Sequence, residues 1–222
     1  MSQMLEIYGR LREMILSLDF SPGERLTERW LETRFDGSRT PIRAALLRLE
    51  AEELVRRDGR NWMVAPIDLG EIAALAEFRA PLETTAVRLV CARATDSDLD
   101  TVAALLESCR ADAPREAWHQ AGTDFHVELA RLSGNPFLLK AVCGVMTRLA
   151  RARWLEVLTA ASREQAWTEH WQILARVRQR LPDEAAREIA AHVCATRDRL
   201  VRSLDEDRRG LRARGFAVVG QH

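Results

Sequence analysis

The stretch from Thr27 to Leu54 constrains this chain most, because its turn residues and apolar spacing permit little besides two helices meeting at a tight turn. Thr27 is an N-cap candidate for a short first helix, and Asp36-Gly37 is a turn signal that stops it. Ser38 can cap the next helix, with Pro41 in its first turn, where a missing N–H costs nothing. Along that second helix Ile42, Ala45, Leu46 and Leu49 form an apolar stripe, which leaves Arg39 and Arg43 together at the N-terminal end of the other face. Two guanidinium groups so placed suit guanine edges or phosphates in a DNA major groove. The run Val55 to Val64 then sets Asp58-Gly59 between two short strand-like segments, which predicts a tight hairpin and completes a winged helix. The competing reading is an ordinary helical hairpin with a solvated arginine face, since the chain uses Arg nearly everywhere and has a single lysine, Lys140.

Past Pro66 the period becomes helical almost throughout, with breaks near Ala94-Thr95-Asp96, Ala113-Pro114, Ser133-Gly134-Asn135-Pro136, Ala160-Ala161-Ser162 and Leu181-Pro182. Six helices are expected, over residues 69–93, 97–111, 115–132, 137–159, 163–180 and 183–205. The expected architecture is mainly α: a winged helix-turn-helix over residues 1–67, an all-α six-helix bundle over 68–206, and a flexible tail over 207–222.

Composition narrows the class. A length of 222 residues fits one large or two small domains, and 47% hydrophobic with 30% charged residues reads as soluble and globular. No apolar run reaches membrane-span length, and Glu6, Arg10, Arg12 and Glu13 interrupt the first apolar stretch, against a secretory signal. Cys91, Cys109, Cys143 and Cys194 stand far apart without a CxxC pair, which predicts thiols in a reducing, cytoplasmic setting. The formal net charge is zero, and residues 1–67 balance eleven Arg against eleven Asp and Glu. Local clustering of Arg39, Arg43, Arg56, Arg57 and Arg60 remains, so specific DNA binding over a modest non-specific background is expected.

Polar residues intrude on the apolar stripes of the helical block. Arg79 falls within the face Ile72, Leu75, Leu82, Ala86 and Leu89, where a guanidinium without an anion is costly. Two readings stay open: a salt bridge to Glu83 or a neighbouring helix, or a fork that grips a ligand carboxylate. His126, His170 and His192 intrude in the same way on three separate helices. One such histidine is ordinarily a hydrogen-bonded core residue; three could converge on a divalent metal inside a bundle.

Residues 7–66 resemble the GntR family of bacterial regulators, through Tyr8 to Leu18, the loop Ser21-Pro22-Gly23-Glu24-Arg25-Leu26 and the segment Ser38-Arg39-Thr40-Pro41-Ile42-Arg43. The resemblance implies that Arg29, Ser38, Arg39, Thr40, Arg43 and Gly59 touch double-stranded, near-palindromic operator DNA. Two departures stand out: Ala44 replaces an acidic residue, and Asn61-Trp62 occupies a normally glycine-rich wing. Residues 69–205 are similar to the FCD ligand-binding domain of the FadR branch, through Asp124-Phe125-His126, Ser133-Gly134-Asn135-Pro136, Glu169-His170 and Ala191-His192; six helices suit its VanR-type subgroup.

That second resemblance implies a sensor of small carboxylate metabolites, with His126, His170 and His192 in the effector site and as ligands of zinc or nickel; Arg79, by its place on the apolar face, is the further effector contact expected. The family's aspartate, four residues before the first histidine, is Gly122 here, while Asp124 points elsewhere and His119 lies two turns back. A metal held weakly or absent is therefore expected. The expected function is a homodimeric, ligand-responsive transcriptional regulator, commonly a repressor relieved by its effector, without contact to a membrane and without catalytic residues. Two rivals are a metal-dependent helical-bundle enzyme and an effector-independent DNA-binding protein. The first lacks HExxH, GxSxG and any phosphate-binding glycine loop, and the second has no use for a polar interior.

Overall fold

In the computed structural model, which describes residues 2–109, 113–156 and 159–220, the chain divides into two compact units. One comprises Met1–Leu69 with Leu204–His222, the other Gly70–Ser203.

The first unit opens with α1 (Gln3–Leu16), whose Ile7, Leu11 and Ile15 recur every four residues and are buried. It starts earlier than the Tyr8 to Leu18 segment expected, and Leu18 turns the chain with φ 67°. After β1 (Arg25–Leu26), the Thr27 hydroxyl accepts the Trp30 N–H at 3.2 Å and starts α2 (Glu28–Phe35). Asp36, in the left-handed region, ends that helix. Gly37 follows because α1 passes close by: a Cβ there would stand 2.8 Å from Ile7 Cδ1. Ser38 holds the N-cap position of α3 (Arg39–Ala51) but makes no side-chain cap bond, contrary to the role expected of it. Ile42, Ala45, Leu46 and Leu49 are all buried, as their spacing predicts.

Strands β2 (Val55–Asp58) and β3 (Asn61–Val64) pair antiparallel with Asp58 opposite Asn61, so the turn is Gly59-Arg60 and Gly59 supplies the positive φ. The sheet order is β1-β3-β2. Asn61-Trp62 divides between two roles: Asn61 is exposed, whereas Trp62 is fully buried opposite Leu26, with the Arg57 guanidinium 3.5 Å from its ring centroid.

The tail departs from expectation. Residues 208–213 form α10 (Arg208–Ala213), and β5 (Val218–Val219) pairs in parallel with β4 (Ile67–Asp68). The Ala217 N–H donates to Pro22 O at 2.7 Å, the Ile67 N–H donates to Ala217 O at 3.0 Å, and Leu211 and Val218 are buried. Backbone pairing and two apolar anchors thus hold a segment whose own sequence shows no sustained period. Residues 221 and 222 of the expected tail lie outside the described residues.

The second unit holds six helices among the described residues: α4 (Leu69–Arg93), α5 (Asp96–Glu107), α6 (Arg115–Leu132), α7 (Pro136–Glu156), α8 (Ala160–Arg178) and α9 (Pro182–Glu206), the last running on into the first unit. Thr95 and Asp98 form a capping box at the start of α5. Helix α8 begins three residues earlier than expected because the Thr159 hydroxyl accepts the Ser162 N–H at 3.1 Å, making Ala160-Ala161-Ser162 its first turn. The expected helix ends over 110–111 and 157–158 lie outside the described residues. Phe125 and Leu129 of α6, Ile173, Leu174 and Val177 of α8, and Ala185 and Ile189 of α9 share one apolar core. Among the buried polar side chains of this unit are Arg79, Glu83, His126, His170 and His192.

Candidate functional site

Arg29 on α2, Ser38, Arg39, Thr40 and Arg43 in the first turns of α3, and Gly59 at the hairpin turn are all exposed. Each leading arginine of α3 carries a partner from α2. The Arg39 Nε–H donates to Glu32 Oε1 at 3.0 Å, and Arg43 grips Glu28 with two bonds of 3.0 and 2.9 Å. Hydrogen bonding from Arg43 is the main reason the Glu28 carboxyl titrates below its ordinary range. Sequence spacing shows the two arginines sharing a face and does not show these two acidic partners. Nucleic acid would exchange phosphate or base acceptors for glutamate oxygens here, which limits the gain from non-specific contact.

The helical unit brings His126 (α6), His170 (α8) and His192 (α9) together. Their Nε2 atoms form a near-equilateral triangle, 3.3 Å from His170 to each of the others and 3.2 Å between His126 and His192. The Nδ1–H of His126 donates to Glu83 Oε2 at 2.7 Å, and the Nδ1–H of His192 donates to Glu169 Oε2 at 2.7 Å. A carboxylate only accepts, so each neutral ring is fixed as the Nδ1–H tautomer and turns the lone pair of Nε2 inward. Burial first, then the Arg79 charge and neighbouring His192, pushes His126 well below its ordinary value; burial followed by the other two imidazoles does the same to His170. His192 is lowered by burial and partly restored by Glu169. The lone pairs of His126 and His192, facing one another, repel unless a cation or the Nε2–H of His170 stands between them.

The spacing fits such a cation. Imidazole nitrogens about 2.0–2.1 Å from a tetrahedral ion stand about 3.3–3.4 Å apart, close to the observed triangle. The three buried histidines could therefore hold a metal with a fourth position open. The sequence offers Glu83 as an ion partner of Arg79, but it does not show that Glu83 supports His126 or that Glu169 supports His192. Glu83 bonds Arg79 Nε–H with its other oxygen, and Glu169 accepts from Arg199 at 2.8 and 3.0 Å. Burial opposes ionisation of Glu169, but hydrogen bonds from His192 and Arg199 outweigh it and bring its carboxyl to about 2. Glu169 does face away from His170 on its own helix; its partner His192 comes from α9, which only tertiary structure reveals.

Both readings of Arg79 find support in one side chain. Its Nε is committed to Glu83, while Nη2 is buried without a partner among the described residues. Asp124 is engaged with Gln120 at 2.7 Å and His119 with Ala150 O at 2.9 Å, so neither joins the triangle. Gly122 borders His170, as its place one turn before His126 implies, but the space beyond its Cα is filled: a Cβ would lie 2.6 Å from Arg153 Nη2. Arg153, on α7 and buried, also donates to Thr123 Oγ1 at 2.9 Å.

The imidazoles imply a pH dependence. With folded values depressed, the unfolded chain binds more protons once pH falls below the ordinary histidine value of about 6.5, so stability is full above it and declines below. The Glu169 contribution persists to lower pH, where its carboxyl protonates on the way to about 2. Urea denaturation in chelator should give a lower midpoint at about pH 5.5 than at about pH 7.5. Equal midpoints would show that the rings do not stay neutral on folding.

Residues 3–64 match the family described as "Bacterial regulatory proteins, gntR family", and residues 74–195 match the FCD domain. The Nta operon transcriptional regulator of Aminobacter aminovorans is 34% identical over 183 residues, covering 81% of this chain and 86% of that one. The transcriptional repressor NanR of Escherichia coli strain K12 is 29% identical over 217 residues, covering 87% of this chain and 81% of that one. A GntR regulator structure from Rhodococcus sp. RHA1 superposes with a TM-score of 0.79 at 20% identity, covering 90% and 98% of the two chains, and bears on the fold alone.

Proposed function

We propose, from the premise that this chain belongs to the GntR family of bacterial regulators and carries that family's FCD domain, that its helical unit senses a small organic acid beside a metal and thereby controls operator binding. The family consists of transcriptional regulators, so the rival reading as a metal-dependent enzyme falls. Family members bind operator DNA. No helix among the described residues is long and apolar enough to cross a membrane.

The observation that carries the sensor reading is the triangle of inward-facing Nε2 atoms beside an unpartnered buried guanidinium nitrogen. A bound zinc or nickel ion would supply a Lewis-acidic centre for a carboxylate, with His126, His170 and His192 holding it and Arg79 offering Nη2 to the acid. Glu83 and Glu169 fix the two outer rings. Six helices support the VanR-type assignment within the FadR branch. The E. coli relative is a repressor, and repression relieved by the acid is our reading here.

A two-fold dimer would set two α3 helices in successive major grooves of a near-palindromic site. Phe78 and Phe137, 53% and 82% exposed on the helical unit, are apolar surface that a second copy would cover. The chain path supports coupling: α4, with Arg79 and Glu83, begins directly after β4, and α9, with His192 and Arg199, ends just before α10. An acid favouring one state of the helical unit would shift the population of DNA-binding states.

The DNA reading is tested with an operator selected from a random duplex pool and fluorescence anisotropy. Arg39→Ala and Arg43→Ala should each weaken operator binding about ten- to a hundredfold with the helix content unchanged. Glu28→Gln, which frees Arg43, should tighten binding to random duplex and steepen its salt dependence by roughly one phosphate contact. Operator affinity unchanged in both arginine variants would contradict the assignment of α3 as the reading helix.

A further inference from the structure

The hairpin of β2 and β3 acts as a lever rooted in the first unit. Its exposed turn, Gly59-Arg60, begins next to Asn61, and Asn61 stands about 10 Å of strand from Val64 at the root. A tilt of about 10° at the root therefore moves the tip by about 2 Å, more than a hydrogen bond to DNA tolerates. A two-stranded ribbon is too weak to hold its own direction, so its aim depends on what grips the root. The grip comes from the loop before β1: the Gly23 N–H donates to Val64 O and the Val64 N–H to Glu24 O, both at 2.9 Å.

One residue of the C-terminal segment joins the two stretches of chain that meet at this root. The Ala217 N–H donates to Pro22 O in the loop, and Ala217 O accepts from the Ile67 N–H just beyond β3. Its side chain lies against Gly23, where an added Cβ would fall 2.5 Å from Ala217 Cβ. Gly23 also has φ 88°, so both the space and the backbone there call for glycine. Leu211 and Val218, each 2% exposed, anchor the segment on either side of Ala217, and the Arg208 Nη2 donates to Gly220 O at 3.1 Å. Strands β4 and β5 add a pair of only two residues each. An interface this small opens locally while the rest of a unit stays folded.

We infer that residues 208–220 are a strap that aims the wing at the operator, with Ala217 as its positioning residue, and that undocking the strap weakens operator binding without unfolding the winged helix. The inference rests on the reading of α3 and the hairpin as the operator-binding surface. The strap is also the direct continuation of α9, which carries His192 and Arg199, so the helical unit has a covalent route to the root of the wing. Docked and undocked straps are two states whose populations α9 can bias.

The test uses the full chain and a selected operator, with anisotropy for affinity and hydrogen exchange at the Ile67 and Ala217 amides for docking. Val218→Asp should speed exchange at both amides by about tenfold or more, with helix content unchanged. It should weaken operator binding by about five- to tenfold, the worth of one wing contact. Gly23→Ala should do the same from the loop side, and adding Ala217→Gly, which removes the clashing methyl, should restore part of the loss. A double-mutant cycle then locates the effect. Val218→Asp with Arg60→Ala, at the tip of the wing, should lose less than the product of the two single losses, whereas with Arg39→Ala, on α3, the losses should multiply. Should Val218→Asp unfold the unit, Gly23→Ala with and without Ala217→Gly serves in the same cycle. Free amides with operator affinity unchanged, or losses that multiply fully with Arg60→Ala, would overturn the inference. So would an Arg60→Ala chain of parent affinity, because a wing that is not read needs no aiming. Affinity kept in Arg39→Ala but lost in Val218→Asp and Arg60→Ala would overturn α3 as the reading helix and keep the strap.

Discussion

Glu83→Ala should destabilise the helical unit by about 3–5 kcal/mol and weaken zinc binding by about ten- to a hundredfold. Glu83 is buried between two partners, accepting from Arg79 on one oxygen and from His126 Nδ1–H at 2.7 Å on the other. Its removal leaves a guanidinium 2% exposed with no anion and an imidazole N–H with no acceptor. The first loss is the larger in stability, because an unmatched buried charge keeps its desolvation cost and gives up the compensating attraction. The second acts on the metal, since His126 is then free to adopt the other tautomer and place a proton where its lone pair should be. Glu83→Gln, which keeps one acceptor but no charge, should fall between. Urea denaturation and dye competition measure the two effects separately. A Glu83→Ala chain within about 0.5 kcal/mol of the parent and equally able to hold zinc would show that Glu83 is neither counter-ion nor ring anchor.

Trp62→Ala should cost about 3–5 kcal/mol in the first unit and abolish DNA binding through unfolding. The indole is fully buried opposite Leu26, with the Arg57 guanidinium over its ring, so truncation leaves a cavity that a four-residue strand cannot close. Trp62→Phe should lose much less, as most of the ring volume remains. A folded Trp62→Ala chain with near-parent stability would mean that the β1-β3-β2 sheet does not depend on this contact.

The winged helix was legible in the chain because each of its signals is local. Thr27, Asp36-Gly37 and the Ile42, Ala45, Leu46, Leu49 stripe act within one or two helical turns, and the structure uses them almost as written. Trp62 has a signal too, since it and Val64 alternate inward on β3. The α10 and β5 segment was not legible: two valines pair with Ile67-Asp68 some 150 residues earlier, and no periodicity announces a two-residue strand.

The buried centre was legible in part. Three histidines on three helices point toward a cluster, and Arg79 on an apolar face asks for an anion. What the sequence lacks is the identity of the partners across helices. Glu169 is 23 residues from His192 and 30 from Arg199, yet it joins both, and Arg153 meets Gly122 from another helix. The expectation that Gly122 simply leaves a ligand position open was incomplete, because an arginine occupies the adjoining space.

The central claim, that acid and metal at the three imidazoles govern DNA binding, is tested most directly by reading both units in one experiment. Operator affinity of the full chain is measured by anisotropy in chelator, then with zinc or nickel and a panel of small organic acids, for the parent chain and for His126→Ala/His192→Ala. At least one acid should change the operator affinity of the metal-loaded parent chain by about fivefold or more, and none should change that of the double variant. A parent chain indifferent to every acid with or without metal, or a double variant that responds equally, would contradict the account.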